Sequence, residues 1–472
     1  MTKQLEACPW VFINGELVPA DQAVVLANNH ALHYGTAALE SLRVYRTRQG
    51  PCLLGFEQHL ERLRVSLLSL GVSQYQTSKT REAVLRTITQ NQLEEGYLRV
   101  LVYPAGSCAR LDHSAYPVDV IVLAWKIEGP KFFSPLTLGV SNIRRPPAGS
   151  WFPRAKLSGF YAVDAPVHVS CRAEGFDDAL MLQADGTVCE VTGANIFWVK
   201  DKRLHTPTIP HSILGITRQL VWDLAEALEL HVEQVSIPLE DLIAADEVFI
   251  TGTFHGIRPV SAISRLRLPL AAPGPITLAI QARFEKLLEM PDSQEGRIWL
   301  TPTTSASNAS RSYSDQLTQI RPARPNDTSG ILRAISALVS ELRGAPFETP
   351  PTAESLCHKI IAGDTTGAIF VGTPERDDER IVGLLGLSVQ EALHLGGRYA
   401  LIQELWVQPD YRSSGLGASL IDACVSHCRD RDLRNLEVGL PQSRFSNFSR
   451  TQSFYESCGF IGLGPRMRRE IQ

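Results

Sequence analysis

Lys156 stands in the stretch Arg154-Ala-Lys-Leu-Ser-Gly-Phe-Tyr161, followed by Glu190-Val-Thr-Gly-Ala-Asn195-Ile-Phe, Gly215-Ile-Thr217-Arg and Thr251-Gly-Thr253. Upstream lie His33-Tyr34-Gly35, Arg43 and His59-Leu-Glu-Arg62-Leu. An amine, a carboxylate, a guanidinium and hydroxyls beside glycines are the groups that move protons and hold anions. Taken singly they carry little. A lone lysine is commonly a solvated surface group. Glu190 reads equally well as a surface strand residue, Arg62 as an exposed helix charge and Tyr161 as a core aromatic. Their order and joint spacing single them out.

A second set lies towards the other end. Ala400 to Gln408 reads as an apolar strand, then come Pro409-Asp-Tyr, Arg412-Ser-Ser-Gly415-Leu-Gly417-Ala418 and an apolar helix pattern through Cys428. A strand, a Gly-rich turn and a helix start make a pyrophosphate cradle. The glycines admit close backbone approach, and the helix amides face the anion. A lone G-x-G is weak; here it sits inside R-x-x-G-x-G-A. Ser453-Phe-Tyr455-Glu-Ser-Cys-Gly459-Phe460 follows.

The elements that must position these residues are legible in outline. Val11 to Val18 is a hairpin signal with Asn14-Gly15 at its turn. Leu60, Leu63, Leu67 and Leu70 share a helical face, with Gly71 as a stop. Asp178 to Ala184 and Thr187 to Val199 form a second predicted hairpin across Asp185-Gly186. A helix is predicted from about Arg218 to Leu230, with Thr217 as N-cap. Val248-Phe-Ile-Thr-Gly-Thr is a strand entering a loop. Composition changes after Met290, and Pro302 to Ser314 is too polar to offset its ordering entropy, so it reads as a linker.

The chain has 472 residues, more than one ordinary core accommodates. Net charge is −4, which gives no field favouring nucleic acid or an anionic membrane. The apolar run Val120 to Trp125 is strand-sized and too short to span a bilayer. The first residues lack the apolar stretch of a signal peptide, so a cytoplasmic location is expected. Nine scattered cysteines without C-x-x-C are expected to be reduced thiols; Cys424 and Cys428, one turn apart, are a weak metal signal, and no metal is expected.

The N-terminal set resembles the fold-type IV pyridoxal-phosphate enzymes, the branched-chain aminotransferase family most closely, over about residues 10–265. The resemblance implies pyridoxal 5'-phosphate as cofactor. It gives Lys156 the Schiff base and the proton shuttle, Glu190 the ring nitrogen, and Tyr161 a place near the phenolic oxygen. Arg62, the amides of Ile216 and Thr217, and Thr253 would hold the phosphate. Tyr34, Leu39, Tyr97, Arg99 and Phe254 would form the substrate pocket, with the Thr253 and Phe254 amides on an α-carboxylate. The arginine pair of the D-amino-acid branch is not evident, which points to an L-amino acid. The family reads Phe-Glu-Gly where this chain has Leu39-Glu40-Ser41, and small residues where it has Phe254 and His255, so the pocket is reshaped. Aminodeoxychorismate lyase shares the fold and the lysine and stays open as an alternative. A homodimer is expected by resemblance.

The C-terminal set resembles the GNAT acetyltransferase superfamily over about residues 317–472. Arg412, Gly415, Gly417 and Ala418 would hold acetyl-CoA as co-substrate, Tyr455 would protonate the leaving thiolate and Glu404 would act as base; Asn447 or Arg450 stands where a CoA contact is found. The bland alternatives are that Tyr455 packs against Phe460 and Glu404 pairs with an arginine. The expected fold is α/β (α+β): aminotransferase subdomains at 1–128 and 129–290, a linker at 291–316 and a mixed-sheet GNAT domain at 317–472. An aminotransferase makes a primary amine and a GNAT enzyme consumes one, so the second half is expected to acetylate the first half's product. A non-catalytic acyl-CoA sensor and two unrelated activities are the alternatives.

Overall fold

The computed structural model describes residues 4–72, 75–106, 109–113, 116–128, 134–147, 155–208, 213, 215–303, 318–374, 377–393, 396–412 and 416–441, with residues 451, 452, 454, 455, 458 and 460. Two compact units divide the chain at residues 304 and 305.

The first unit holds two sheets. In the eight-stranded one, Ala38–Thr47 and Gly96–Pro104 lie at the centre between Gly50–Leu54 and Val118–Glu128. Trp10–Ile13 and Glu16–Pro19 close one side as an antiparallel hairpin. Its turn residues Asn14 and Gly15 both have positive φ, +52° and +91°, as a tight twisted turn demands. Helices Phe56–Ser69 and Thr77–Gln90 cover one face and bury Leu60, Leu63 and Leu67 against Leu42, Val44 and Leu98. Gly71, at φ +78°, ends the first helix, and the Val72 N–H donates to the Leu67 carbonyl.

The nine-stranded sheet is built from strands between Leu136 and Arg267 and mixes parallel and antiparallel pairs. Two expectations are corrected. Thr187 to Val199 is not one strand: Val188–Val191 pairs with Asp178–Leu182, the chain turns at Gly193 (φ +72°), and Asn195–Lys200 pairs with Glu247–Gly252. The helix starts at Ile216 and ends at Glu226, with Gly215 as N-cap and Thr217 inside the first turn.

The ordered unit also runs past residue 290. Gln294–Trp299 is a helix and Leu300–Pro302 a strand paired with Gly50–Leu54. Trp299 and Leu300 are buried, and that apolar pair draws residues otherwise read as linker back onto the sheet. Residues 304–317 lie outside the described set.

Among the described residues the second unit has five strands in sequential order: Thr318–Pro322, Ala368–Pro374, Gly383–Ala392, Gly397–Val407 and Leu436–Val438. Neighbours are antiparallel except the last pair. Helix Leu416–Arg429 packs Leu416, Leu420, Ile421 and Cys424 against it. Among the described residues no helix is long and apolar enough to cross a membrane, and no cluster of potential metal ligands occurs.

Candidate functional site

Lys156 is held by its backbone. Its carbonyl accepts from Leu39 N–H at 2.8 Å, its N–H donates to Ser66 Oγ at 2.9 Å, and Leu157 bridges Ala38. The segment is thereby laid along the start of the Ala38–Thr47 strand. Gly35, at φ +65°, and Gly159 meet backbone to backbone: a Cβ on Gly35 would lie 2.6 Å from Gly159 Cα. Burial pushes the Lys156 amine down to about 8; Glu40 opposes that shift, and the Arg62 and Arg99 guanidiniums add to it.

Arg62 and Glu40 form a two-pronged pair. Arg62 Nε and Nη2 each donate to a Glu40 oxygen at 2.7 Å, and His59 Nδ1 meets Oε2 at 2.7 Å. Burial pushes the Glu40 carboxyl up, but Arg62 beside it holds it well below the usual range. Burial takes His59 down to about 4 against the pull of Glu40, so the ring is neutral near pH 7 and donates from Nδ1.

Beside them, His59, Ile216, Thr217 and Thr253 line a small pocket with Leu54, Leu220 and Trp299. Gly215 has no room for a side chain there, since a Cβ would collide with the Asn195 oxygen. Asn195 Nδ2 also donates to the Ile213 carbonyl at 3.4 Å, so the Asn195 motif braces the turn that starts the helix. Helix-start residues and a threonine hydroxyl line this pocket, and the Arg62 guanidinium lies 3.5 Å from His59, one of its walls. That donor set fits a phosphate group, and the buried amine fits an aldehyde.

Glu190 is buried on the Val188–Val191 strand, and Arg145 Nε lies 2.9 Å from its Oε1. Arg145 also binds Asp164. Tyr161 opens the helix Tyr161–Ala173; burial, with Tyr97 nearby, raises its phenol well above the usual range, and Arg62 opposes this.

On the substrate side, the Tyr97 phenol donates to Ser41 Oγ at 2.7 Å, and Arg99 Nη2 donates to the phenol oxygen at 3.3 Å. Phe254 meets the Tyr97 ring edge-on at 5.8 Å. Leu39 is buried. Tyr34 is exposed on the short helix His30–Tyr34, its ring 4.7 Å from His30.

In the second unit, Glu404 lies on the Gly397–Val407 strand across Gly386, where a Cβ would come within 2.5 Å of its carboxylate. The register shifts beside Gly386. Burial raises the Glu404 carboxyl to about 7, and among the described residues no cation pairs with it, so the alternative of an arginine partner finds no support there. Tyr455 is buried, its ring 5.5 Å from Phe460 and 5.2 Å from Phe454; burial raises its phenol. Arg412 does not project a free guanidinium. Its Nη atoms donate to both Glu341 oxygens at 2.9 and 2.6 Å, and Nε donates to the Val407 carbonyl. Gly417 and Ala418 are in the first turn of the helix, and the Phe454 ring would sit 3.1 Å from a Cβ on Gly417. Gly415, Asn447 and Arg450 lie outside the described residues.

The description Amino-transferase class IV matches residues 37–263, and Acetyltransferase (GNAT) family matches residues 332–460. A branched-chain-amino-acid aminotransferase of Salmonella typhimurium is 32% identical over 304 residues, 63% of this chain and 98% of that protein. The chain belongs to the class IV aminotransferases and carries a GNAT acetyltransferase domain behind that unit. The Escherichia coli (strain K12) branched-chain aminotransferase is 32% identical over 283 residues, 58% of this chain and 91% of that one. Among solved structures, a T.th. branched-chain amino acid aminotransferase complexed with N-(5'-phosphopyridoxyl)-L-glutamate superposes with TM-score 0.59 at 29% identity, covering 63% of this chain and 99% of that one. The Thermoproteus uzoniensis enzyme with norvaline gives TM-score 0.58 at 29% identity over 64% of this chain and all of that one.

In this class IV aminotransferase the fold brings Lys156, Arg62 and Tyr161 into one electrostatic neighbourhood with Arg99, and sets Ile216, Thr217 and Thr253 around one pocket. Glu190 is described with Arg145 and Tyr34 with His30. Residue reasoning missed Ser66 and Arg145 outright. It quoted Glu40 only as the middle of the Leu39-Glu40-Ser41 motif and Ser41 only as a departure from it. Nothing in the sequence marks Ser66 beyond its turn-spaced position after Arg62 on one helix.

Proposed function

We propose that the first unit transfers an amino group between an amino acid and a 2-oxo acid with pyridoxal 5'-phosphate, and that the second acetylates an amine, the product of the first, with acetyl-CoA. The observation that carries the first half is the buried Lys156 amine, held near the permanently charged Arg62–Glu40 pair and shifted to about 8.

When bound, the cofactor supplies an electron sink for cleavage of a Cα–H bond. Lys156 Nζ is largely within reach of its neutral form near pH 8, so it takes up and returns a proton without a large free-energy step. Arg62, with the Ile216 and Thr217 amides and Thr253, would bind the phosphate; Glu40 keeps the guanidinium aimed. Glu190, paired with Arg145, would face the ring nitrogen. Arg99 and the Thr253 and Phe254 amides would hold the substrate carboxylate. Leu39 and Phe254 would shape the side-chain pocket so that the substrate is not restricted to branched chains, and the missing arginine pair of the D-amino-acid branch favours an L-amino acid.

In the second unit Glu404 would accept a proton from the acceptor ammonium, directly or through water. The freed amine attacks the thioester carbonyl, and Tyr455 protonates the leaving thiolate. The Gly417 and Ala418 turn would bind the CoA pyrophosphate through backbone amides. Arg412 serves by fixing that turn to Glu341 and Val407. A tether raises the encounter rate of the first unit's product with the second.

A cytoplasmic homodimer belongs to the same reading. Val24 and Leu26 just before the His30–Tyr34 helix, Leu32 on it, and Leu111, whose carbonyl meets His30, are exposed apolar side chains suited to contact with a second copy. Light scattering reads the oligomer. Mass spectrometry of products from a 2-oxo-acid panel with glutamate, pyridoxal phosphate and acetyl-CoA tests the whole: N-acetylated amino acid is expected, and free amino acid with unconsumed acetyl-CoA would refute the coupling.

A further inference from the structure

The strands Ala38–Thr47 and Gly96–Pro104 pair with Ser41 directly opposite Arg99 and Arg43 opposite Tyr97. Direct partners, and residues two apart, point to the same face of a sheet. Ser41, Tyr97 and Arg99 therefore share one face. Ser41 and Tyr97 are each 6% exposed. The Tyr97 ring is fixed by Phe254 at 5.8 Å and Trp125 at 5.9 Å. Leu39, two residues before Ser41 on the same strand, donates its N–H to the Lys156 carbonyl at 2.8 Å, and the charge of Arg99 acts on the Lys156 amine, so this face belongs to the same site.

A phenol has one proton. Tyr97 gives it to Ser41 Oγ at 2.7 Å and accepts from Arg99 at 3.3 Å. It has no proton left for a substrate oxygen. The Ser41 hydroxyl accepts from Tyr97 and donates to no described residue. Each link in such a chain polarises the next, and a cation at its head strengthens the donor at its end.

We infer that Ser41 is a specificity-determining residue whose hydroxyl, terminating the chain Arg99–Tyr97–Ser41, donates to a carboxylate oxygen of the amino acid or 2-oxo acid. Tyr97 is then a positioning residue that acts through Ser41. The assignment rests on the transamination reading. It gives the site a hydroxyl donor on the strand that also carries Leu39, opposite the Thr253 and Phe254 amides in the division of labour.

Steady-state kinetics of Ser41→Ala, Ser41→Thr, Tyr97→Phe and the Ser41→Ala/Tyr97→Phe double variant test it, with cofactor absorbance and thermal melting followed in each. Ser41→Ala is expected to raise KM about tenfold, the size of one hydrogen bond to a charged group, with kcat, absorbance and melting held. Ser41→Thr restores KM to within about threefold. Tyr97→Phe raises KM by less than Ser41→Ala, and the double variant behaves as Ser41→Ala alone, because the two residues act in series. An indifferent KM in Ser41→Ala, a threonine variant as impaired as the alanine one, or a larger loss in Tyr97→Phe overturns the assignment. Absence of cofactor absorbance and turnover in the unmutated chain would defeat the transamination reading itself, and this assignment with it.

Discussion

The charged groups of the two candidate sites are tuned differently. In the first, Arg62 and Glu40 face each other with both side chains withdrawn from solvent, 12% and 2% exposed, and Arg145 bridges Glu190 and Asp164. In the second, Glu404 has burial alone acting on it. Pairing locks charge: Glu40 stays anionic and Arg62 cationic through the physiological range. Desolvation without a partner moves a titration midpoint towards neutrality. Lys156 shows the same device inside the first unit, at about 8, close to a pair that is locked. Groups proposed to hold an anion or a ring cation are thus paired, and groups proposed to pass a proton are dried. Electrostatic cost explains the division, since a buried charge without a partner shifts its pKa instead of staying ionised.

The contrast between the units is tested most decisively at the lysine. Lys156→Ala should lower transamination by about 10³-fold or more while acetylation of a supplied amine is kept. Equal loss of both activities would mean that the units are not independent. Next in size, Arg62→Ala leaves the Glu40 carboxylate buried and unpaired. It should cost about 3 kcal/mol of stability in urea unfolding of the cofactor-free protein as well as weakening cofactor binding. A variant as stable as the parent would show that the pair is not locked.

Glu404→Gln should lower acetyl transfer about 10²-fold and leave acetyl-CoA affinity unchanged by calorimetry. The pH dependence sharpens the point. Glu404 acts when deprotonated and its midpoint is raised to about 7, so acetyl transfer should climb through pH 7 and level off above it. Lys156 acts as a neutral amine and its midpoint is lowered to about 8, so cofactor capture by the apoprotein should climb through pH 8, one step higher. A single shared midpoint would contradict separate tuning. The smallest effect is expected for Glu341→Ala. Its pair with Arg412 is about one-third exposed on each side, so under about 1 kcal/mol should be lost, with a modest rise in the acetyl-CoA dissociation constant as the turn loosens.

Much of this was readable from residues in order. Turns show it best: Asn14-Gly15 and Asp185-Gly186 need positive φ at glycine, and local chemistry alone predicts them. The helix that starts at Ile216 was legible, although its cap was misplaced by two residues. Gly215 carries no capping side chain, and its small size is dictated by Asn195, distant in sequence. The Thr187 to Val199 strand failed for a related reason. Its apolar pattern continues through a turn that Gly193 makes and the pairing of Asn195–Lys200 with Glu247–Gly252 requires. Arg412 was assigned to the cradle because nothing nearby in the chain announces Glu341.

By itself the sequence determined the two families and the glycine-bearing turns, because each rests on residue type and short spacing. Only the tertiary structure decided which charges meet. Arg62 with Glu40, Arg145 with Glu190, Arg412 with Glu341 and Tyr97 with Ser41 are brought together by strand register and helix packing across long stretches of chain. Electrostatic energy depends on distance and on exclusion of water, and neither is a property of the chain until it has folded.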